Sequence, residues 1–270
     1  MIGRLGLRFG ALFYLAAVLM APVALIFWRA FEHGLHPFWA AITEPNALHA
    51  LWLTVLIALV AVPLNTIFGI VCAVAIVRRK IPGLGLVNAF VDLPLALSPV
   101  VVGLALFLLY GRGGWLGDFF VNHGIRVLFA LPSMMLATIF ISLPFVVREV
   151  VPVLREIGWD QEEAAATLGA SRWQKFWRIT LPSIRWAVAY GVVLTTARSL
   201  GEFGAVSIVS GRIVGKTETL TTHVQDSYDT FDVTGAYSAS VLLAALAILT
   251  LVAMSVLKPK EGTANGDRSA

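Results

Sequence analysis

The sequence predicts an all-α polytopic membrane protein with six transmembrane helices, and three observations lead there. Hydrophobic residues make up 58% of the 270 and charged residues only 13%, where soluble domains carry roughly 25% charged residues. The mean hydropathy is +0.83. The charges also leave long gaps, each near the roughly 20 apolar residues that cross a hydrocarbon core. No alternation of polar and apolar residues runs through these gaps. Lipid makes each span satisfy its own backbone, so helices are expected rather than a barrel.

The first gap, Phe9–Trp28, follows Arg4 and Arg8. A secretory leader also begins with basic residues and an apolar run, but no small-x-small cleavage pattern precedes Arg29, Glu32 and His33, so a retained helix is expected. The second gap is Pro45–Val77, with Pro63 and Asn65 inside it. The third, Leu93–Gly111, holds Pro94, Ser98 and Pro99. Proline frees a carbonyl and bends a helix; Ser98 and Pro99 either offer polar groups to a pathway or kink the helix for packing. The fourth is Val127–Val147, and the last is Val233–Leu257. Between them Trp186–Gly211 is equally long but contains Arg198 and Glu202. The polar end KPKEGTANGDRSA, 258–270, is expected to be disordered. The expected organisation is an N-terminal helix and outer loop at 1–46, a membrane core at 47–257 and this tail.

Lysine and arginine favour the cytoplasmic side of a membrane protein. With the N terminus inside, that side holds Arg4, Arg8, Arg78, Arg79, Lys80, Arg148, Arg155, Arg172, Lys175, Arg178, Arg185, Lys258, Lys260 and Arg268. The other side holds Arg29, Arg112, Arg126, Arg212 and Lys216. Both termini are therefore expected in the cytoplasm. The net charge of +4 follows from this bias and calls for no nucleic-acid partner.

Several chemistries are excluded. Cys72 is the single cysteine, so there is no disulfide framework. The histidines, at 33, 36, 49, 123 and 223, follow no metal-binding spacing. SGRIVGKT, 210–217, imitates a phosphate-binding loop, but Ser210 stands where its first glycine belongs and the stretch falls on the outer side. No catalytic residue and no metal site is expected.

The longest cytoplasmic connection contains EEAAATLGASRWQKFWRITLP, Glu162–Pro182. Asp160 with Glu163 reads as a helix N-cap pair, and Ala164, Ala165 and Ala166 propagate helix with little bulk. Gly169 suits a left-handed C-terminal position. Ser171 with Gln174 forms a capping-box pattern opening a second short helix. Trp173, Phe176 and Trp177 share one face of it, which suits a membrane interface, and Pro182 fits the first turn of the fifth span.

The spelling Glu163-Ala164-Ala165, three residues, Gly169, nine residues, Ile179, one residue, Leu181-Pro182 resembles the EAA signature of binding-protein-dependent ABC importer permeases. It departs at none of the named positions. VDLPLALSPVVVGL (91–104), GWLG (114–117), ATLGASRWQKFWRITLPSIRW (166–186) and ARSLGEFGAVSIVSG (197–211) extend the resemblance over nearly the whole chain, to the W-type permeases of sulfate/thiosulfate importers. The resemblance implies a type I importer permease (MetI-like) fold over 47–257. It also implies a coupling helix received by a cytoplasmic ATPase, with Glu163, Ala164, Ala165, Gly169 and Ala170 in the docking turn and Leu181 and Pro182 at its junction with the fifth span.

It further implies an assembly in the bacterial inner membrane: a heterodimer with a T-type permease, two copies of the ATPase, which uses ATP and Mg2+, and an extracytoplasmic sulfate-binding protein. Molybdate or tungstate is the rival cargo. A self-sufficient secondary carrier is the rival class, disfavoured by the docking loop and by the lack of inverted repeats and buried carboxylate relays.

ARSLGEFGAVSIVSG leaves two readings open. Arg198 and Glu202 are four apart on one helical face, where a lone charge costs at least about 2.5 kcal/mol. Gly201 and Gly204 remove bulk beside them. Either this face lines the translocation path, with Arg198, Ser199 and Ser207 as donors to a dianion, or the pair fixes a helix interface.

Overall fold

The structure, a computed structural model, describes residues 2–78 and 83–257. Arg79 and Lys80, and the tail 258–270 with Lys258, Lys260 and Arg268, lie outside the described residues. Those described form helices and connections with no strand. They group into two compact units, one from Met1–Leu53 with Arg212–Ala245 and one from Thr54–Gly211 with the remainder, and the division falls inside two long helices.

In the first unit, α1 (Ile2–Phe31) turns at Gly34 into α2 (Leu35–Thr43). Gly34 has φ 94, open to glycine at little cost, and its N–H donates to the Phe31 carbonyl at 2.9 Å. The long helix α3 (Pro45–Arg78) begins here. Ala30, Phe38, Ile42 and Val241 form the core of this unit, flanked by Ile26, Phe27, Tyr237 and Leu242. Leu12, Phe13, Val18 and Leu19 of α1 are exposed, a surface suited to lipid.

The second unit takes most of α3, then α4 (Leu84–Ala96), α5 (Pro99–Tyr110), α6 (Gly117–Asn122), α7 (Leu131–Ser142), α8 (Pro144–Ile157) and α9 (Asp160–Thr167). Next come α10 (Arg172–Lys175), a π turn (Phe176–Thr180), α11 (Leu181–Leu200) and α12 (Gly204–Val209). One core cluster of this unit joins Ala73 of α3, Val146, Val150 and Leu154 of α8, and Ile184 and Ala187 of α11. After it, α13 (Leu220–Asp229) lies in the first unit, and α14 (Val233–Leu257) starts there and ends in the second.

Among the described residues four helices are long and apolar enough to span a membrane: Gly10–Phe31, Pro45–Arg78, Leu131–Ile157 and Val233–Ala253. The bent pair α4 and α5 makes a fifth if it is counted as one span. Two expected spans differ from the sequence reading. Leu93–Gly111 is not one kinked helix but two meeting at 108°. Proline disfavours the helical region for the residue before it, and Ser98 is extended, at φ -64 and ψ 136. Trp186–Gly211 starts earlier, at Leu181, and breaks after Leu200; with Arg185 and Arg198 inside it, α11 is outside the four long apolar helices.

The two breaks meet. A Cβ built on Gly204 would lie 2.8 Å from the Pro99 Cβ, and one on Gly103 would lie 2.8 Å from the Ala205 carbonyl oxygen. Small residues thus let α12 lie directly on α5, the packing device of membrane interiors.

Candidate functional site: the elbow and the paired helix breaks

Helix α9 has Asp160, Glu162 and Glu163 in its first turn, where the helix dipole favours acids. Its N-cap is Trp159, not Asp160; the acid expected at the cap sits one residue inside, where its charge meets the free N–H groups. The helix ends as the glycine predicted. Gly169 has φ 82, its N–H donates to the Ala166 carbonyl at 3.0 Å, and the Ala170 N–H donates to the Ala165 carbonyl at 3.0 Å.

The next turn starts on a formed capping box. The Gln174 N–H donates to Ser171 Oγ at 3.3 Å, and the Ser171 N–H donates to Gln174 Oε1 at 2.9 Å. The helix that follows is not a separate short one. It runs through the π turn into α11, and the Leu181 N–H bonds the Phe176 carbonyl five residues back. Pro182 brings no N–H and its ring crowds the carbonyl four residues before it; the wider turn makes room at that point.

The outer side of this elbow exposes Glu163, Ala164 and Gly169, while Ala165 and Ala170 are half-buried. A cleft of about 370 Å³ at the elbow is lined by Ala165, Leu168, Gly169, Ala170, Gln174, Lys175, Arg178 and Ile179. Leu181 is half-buried at the junction and Pro182 exposed. Trp173, Phe176 and Trp177 form one aromatic cluster with ring centroids 5.4 to 6.3 Å apart, and both tryptophans are exposed.

At the breaks, Arg198 Nη1 lies 2.7 Å from Glu202 Oε2. The other carboxylate oxygen of Glu202 accepts from the Ala205 N–H at 2.9 Å, so the acid caps α12 as it holds the arginine. Glu202 is buried, whereas the Arg198 side chain is 29% exposed. Ser199 is also buried and donates to Ser142 Oγ on α7 at 3.4 Å. Ser207 donates to its own helix at the Gly204 carbonyl, 2.9 Å away. Ser98 is exposed, Pro99 half-buried against Gly204, and Gly201 exposed at the corner. Arg198, Gly201, Glu202, Gly204 and Pro99 therefore come together at the breaks, while Ser199 turns into the helix packing.

Residues 65–261 match the family of binding-protein-dependent transport system inner membrane components. The chain belongs to this family. The permease is 51% identical over 252 residues to the sulfate transport system permease protein CysW of Synechocystis sp., covering 93% of this chain and 91% of that one. It is 36% identical over 252 residues to the sulfate transport system permease protein CysT of Escherichia coli, covering 93% and 91%. Its fold is that of a bacterial ABC transporter involved in the import of the acidic polysaccharide alginate, with a TM-score of 0.76 at 18% identity and 93% of each chain covered. The permease is thus a multi-pass membrane subunit of an ABC importer, with the type I permease fold and no enzymatic activity of its own.

Two polar groupings of the permease lie outside the candidate site residues, and of these the sequence reading noted only Asn65, as a helix-packing residue. Asn65 on α3, 1% exposed, donates to Ser142 Oγ at 2.8 Å and to the Ile139 carbonyl at 3.0 Å, tying α3 to α7. In the first unit, His223 Nδ1 lies 2.9 Å from Glu218 Oε1, with Glu218 1% exposed. The hydrogen bond to Glu218 raises the His223 pKa; burial opposes this, and the charges of Glu218, Glu44 and Asp232 add to it. An asparagine in an otherwise apolar gap was a visible signal for the first. The spacing of Glu218 and His223 carries no comparable one.

Proposed function

We propose that the permease is the W-type subunit of an ATP-driven sulfate and thiosulfate importer. The observation that carries this reading is the 51% identity to a CysW protein against 36% to a CysT protein, over the same share of this chain. The partners that follow are a T-type permease in a heterodimer, two ATPase subunits that use ATP and Mg2+, and an extracytoplasmic sulfate-binding protein. The basic residues near the helix ends support cytoplasmic termini and a cytoplasmic elbow.

The elbow, with Glu163, Ala164 and Gly169 exposed and Ala165 and Ala170 half-buried beside them, is the surface the ATPase receives, and Leu181 and Pro182 join it to α11. The corner of the two breaks, at Ser98, Pro99, Arg198, Gly201, Glu202, Gly204 and Ser207, faces the translocation path, with Ser199 behind it. Closure of the ATPase then shifts the equilibrium between two global states of the membrane helices.

The deciding experiment is ATP-dependent uptake of labelled sulfate, thiosulfate and molybdate by the complete complex in proteoliposomes. Sulfate and thiosulfate are expected to enter, and the permease without the ATPase is expected to move neither. Entry of molybdate alone, or ATP-independent sulfate uptake by the isolated chain, would overturn the reading.

A further inference from the structure

The elbow presents two adjacent glutamates, and they point to different tasks. Glu163, in the signature, is exposed, whereas Glu162 turns inward. Glu162 Oε1 accepts from Arg78 Nε at 3.1 Å and from Thr180 Oγ1 at 2.8 Å, and Arg78 Nη2 also stands 3.1 Å away. Arg78 is the last residue of α3, Thr180 closes the π turn before α11, and Glu162 is in the first turn of α9. One carboxylate oxygen therefore joins three elements. Trp159, just before α9, sets its ring 4.8 Å from the Arg78 guanidinium carbon.

The node is enclosed, with the Arg78 side chain 8% and that of Glu162 16% exposed, so water and salt screen it less than a surface pair. No residue of α9 is buried, and its hold on α3 is thus polar, not a packed apolar face. Arg78 Nη1 is buried and has no hydrogen-bond partner among the described residues. The guanidinium consequently depends on Glu162, and losing that acceptor would leave a buried cation uncompensated.

We propose that Arg78, Glu162 and Thr180 are positioning residues that transmit movement of the elbow into α3 and α11 together. A push on α9 reaches α8 and α11 along the chain. It reaches α3, whose Arg78 is 84 residues from Glu162, across this node. Because the three donors converge on one oxygen, a displacement of Glu162 that breaks one bond weakens all three. The elbow and α3 then move as one body or separate.

This inference rests on the reading of the elbow as the seat of an ATPase. Its test uses the complete complex in proteoliposomes and reads labelled sulfate taken up per ATP hydrolysed. Glu162→Ala and Arg78→Ala are each expected to lower that ratio roughly tenfold, and the double variant no further than either single one. Thr180→Val keeps the volume, removes one donor and is expected to lower the ratio about twofold. Exchange of the pair, Arg78→Glu with Glu162→Arg, is expected to restore part of the ratio.

Single variants with the wild-type ratio, or losses that add in the double variant, would overturn the proposal. If Arg78→Ala fails to assemble, Glu162→Gln and Thr180→Val decide, and a wild-type ratio in both assembled complexes overturns it. A wild-type complex whose sulfate uptake ignores ATP would instead overturn the functional reading underneath.

Discussion

Gly191 on α11 lies so close to Val146 on α8 that a Cβ built on the glycine would stand 2.9 Å from the valine Cα. Gly69 on α3 approaches the same valine from another helix, its Cβ reaching within 2.6 Å of the Val146 Cβ. Val146 is fully buried. Three helices thus meet on one side chain, two of them through glycine.

Gly191→Ala is therefore expected to destabilise the permease by about 1–3 kcal/mol, the usual cost of overpacking. Gly201 provides the contrast: its Cβ would meet only the Ala197 carbonyl oxygen, at 3.6 Å, and Gly201→Ala is expected to leave stability unchanged. Thermal unfolding of the two purified variants in detergent, side by side, measures the difference.

Removing the amide at Asn65 breaks its bonds to both Ser142 and the Ile139 carbonyl. Asn65→Ala is expected to cost about 1–2 kcal/mol, the scale of hydrogen bonds between membrane helices. Ser142→Ala should cost less than the sum suggests when combined with it, since the two share one bond. A double-mutant cycle on unfolding midpoints checks this.

Glu163→Lys reverses an exposed charge on the elbow. Stability of the purified permease should change by no more than about 0.5 kcal/mol, as for ordinary surface substitutions. Retention of the ATPase on the tagged permease should fall sharply, because like charges at an interface are costly. Full retention of the ATPase would remove Glu163 from the docking turn.

Arg198→Ala leaves the buried Glu202 without its cation, and breaking such a pair costs about 3–5 kcal/mol. Poor assembly of that single variant is expected. Arg198→Ala with Glu202→Gln removes both charges and should restore assembly, and uptake by the restored complex then separates the two readings of this face. If the corner lines the path, uptake is expected to fall by more than about tenfold, or 1.4 kcal/mol. Uptake that survives would mean that the pair, held at 2.7 Å, only fixes a helix interface.

The pH dependence around α13 follows from His223, whose folded pKa is raised above the ordinary 6.5 chiefly by its bond to Glu218. A group of this kind stabilises fully below its unfolded pKa and loses that contribution as pH rises through the folded value. His223→Gln, which keeps a donor but no charge, should therefore cost most below pH 6.5, about 2 kcal/mol, and least at alkaline pH. Thermal unfolding of both proteins across that range gives the sign directly, and a difference that grows with pH would contradict it.

Features with local causes were legible in the sequence. The charge-free run Pro45–Val77 matches α3 within a residue, and the capping box at Ser171 and the left-handed Gly169 form with partners only a few residues away. Long-range causes were not. Pro99 announces a break, but the 108° between α4 and α5 also depends on Gly204 seating against that proline from α12. Nothing near Glu162 says that it turns inward and Glu163 outward, because the deciding guanidinium sits at the end of α3. The pairing of Arg198 with Glu202 was readable as one-turn spacing, whereas the capping of α12 by Glu202 required knowing where that helix begins.

The π turn at Phe176–Thr180 sets a rotational phase. It holds one more residue than the same stretch of regular α-helix, so regularising it to α-helix with every residue kept would turn everything downstream by about 100°. Ile184 and Ala187, now against α8, would then swing off that helix, while Trp173 upstream would keep its bearing. The chain thereby clocks its aromatic surface segment and its membrane segment independently along one continuous rod.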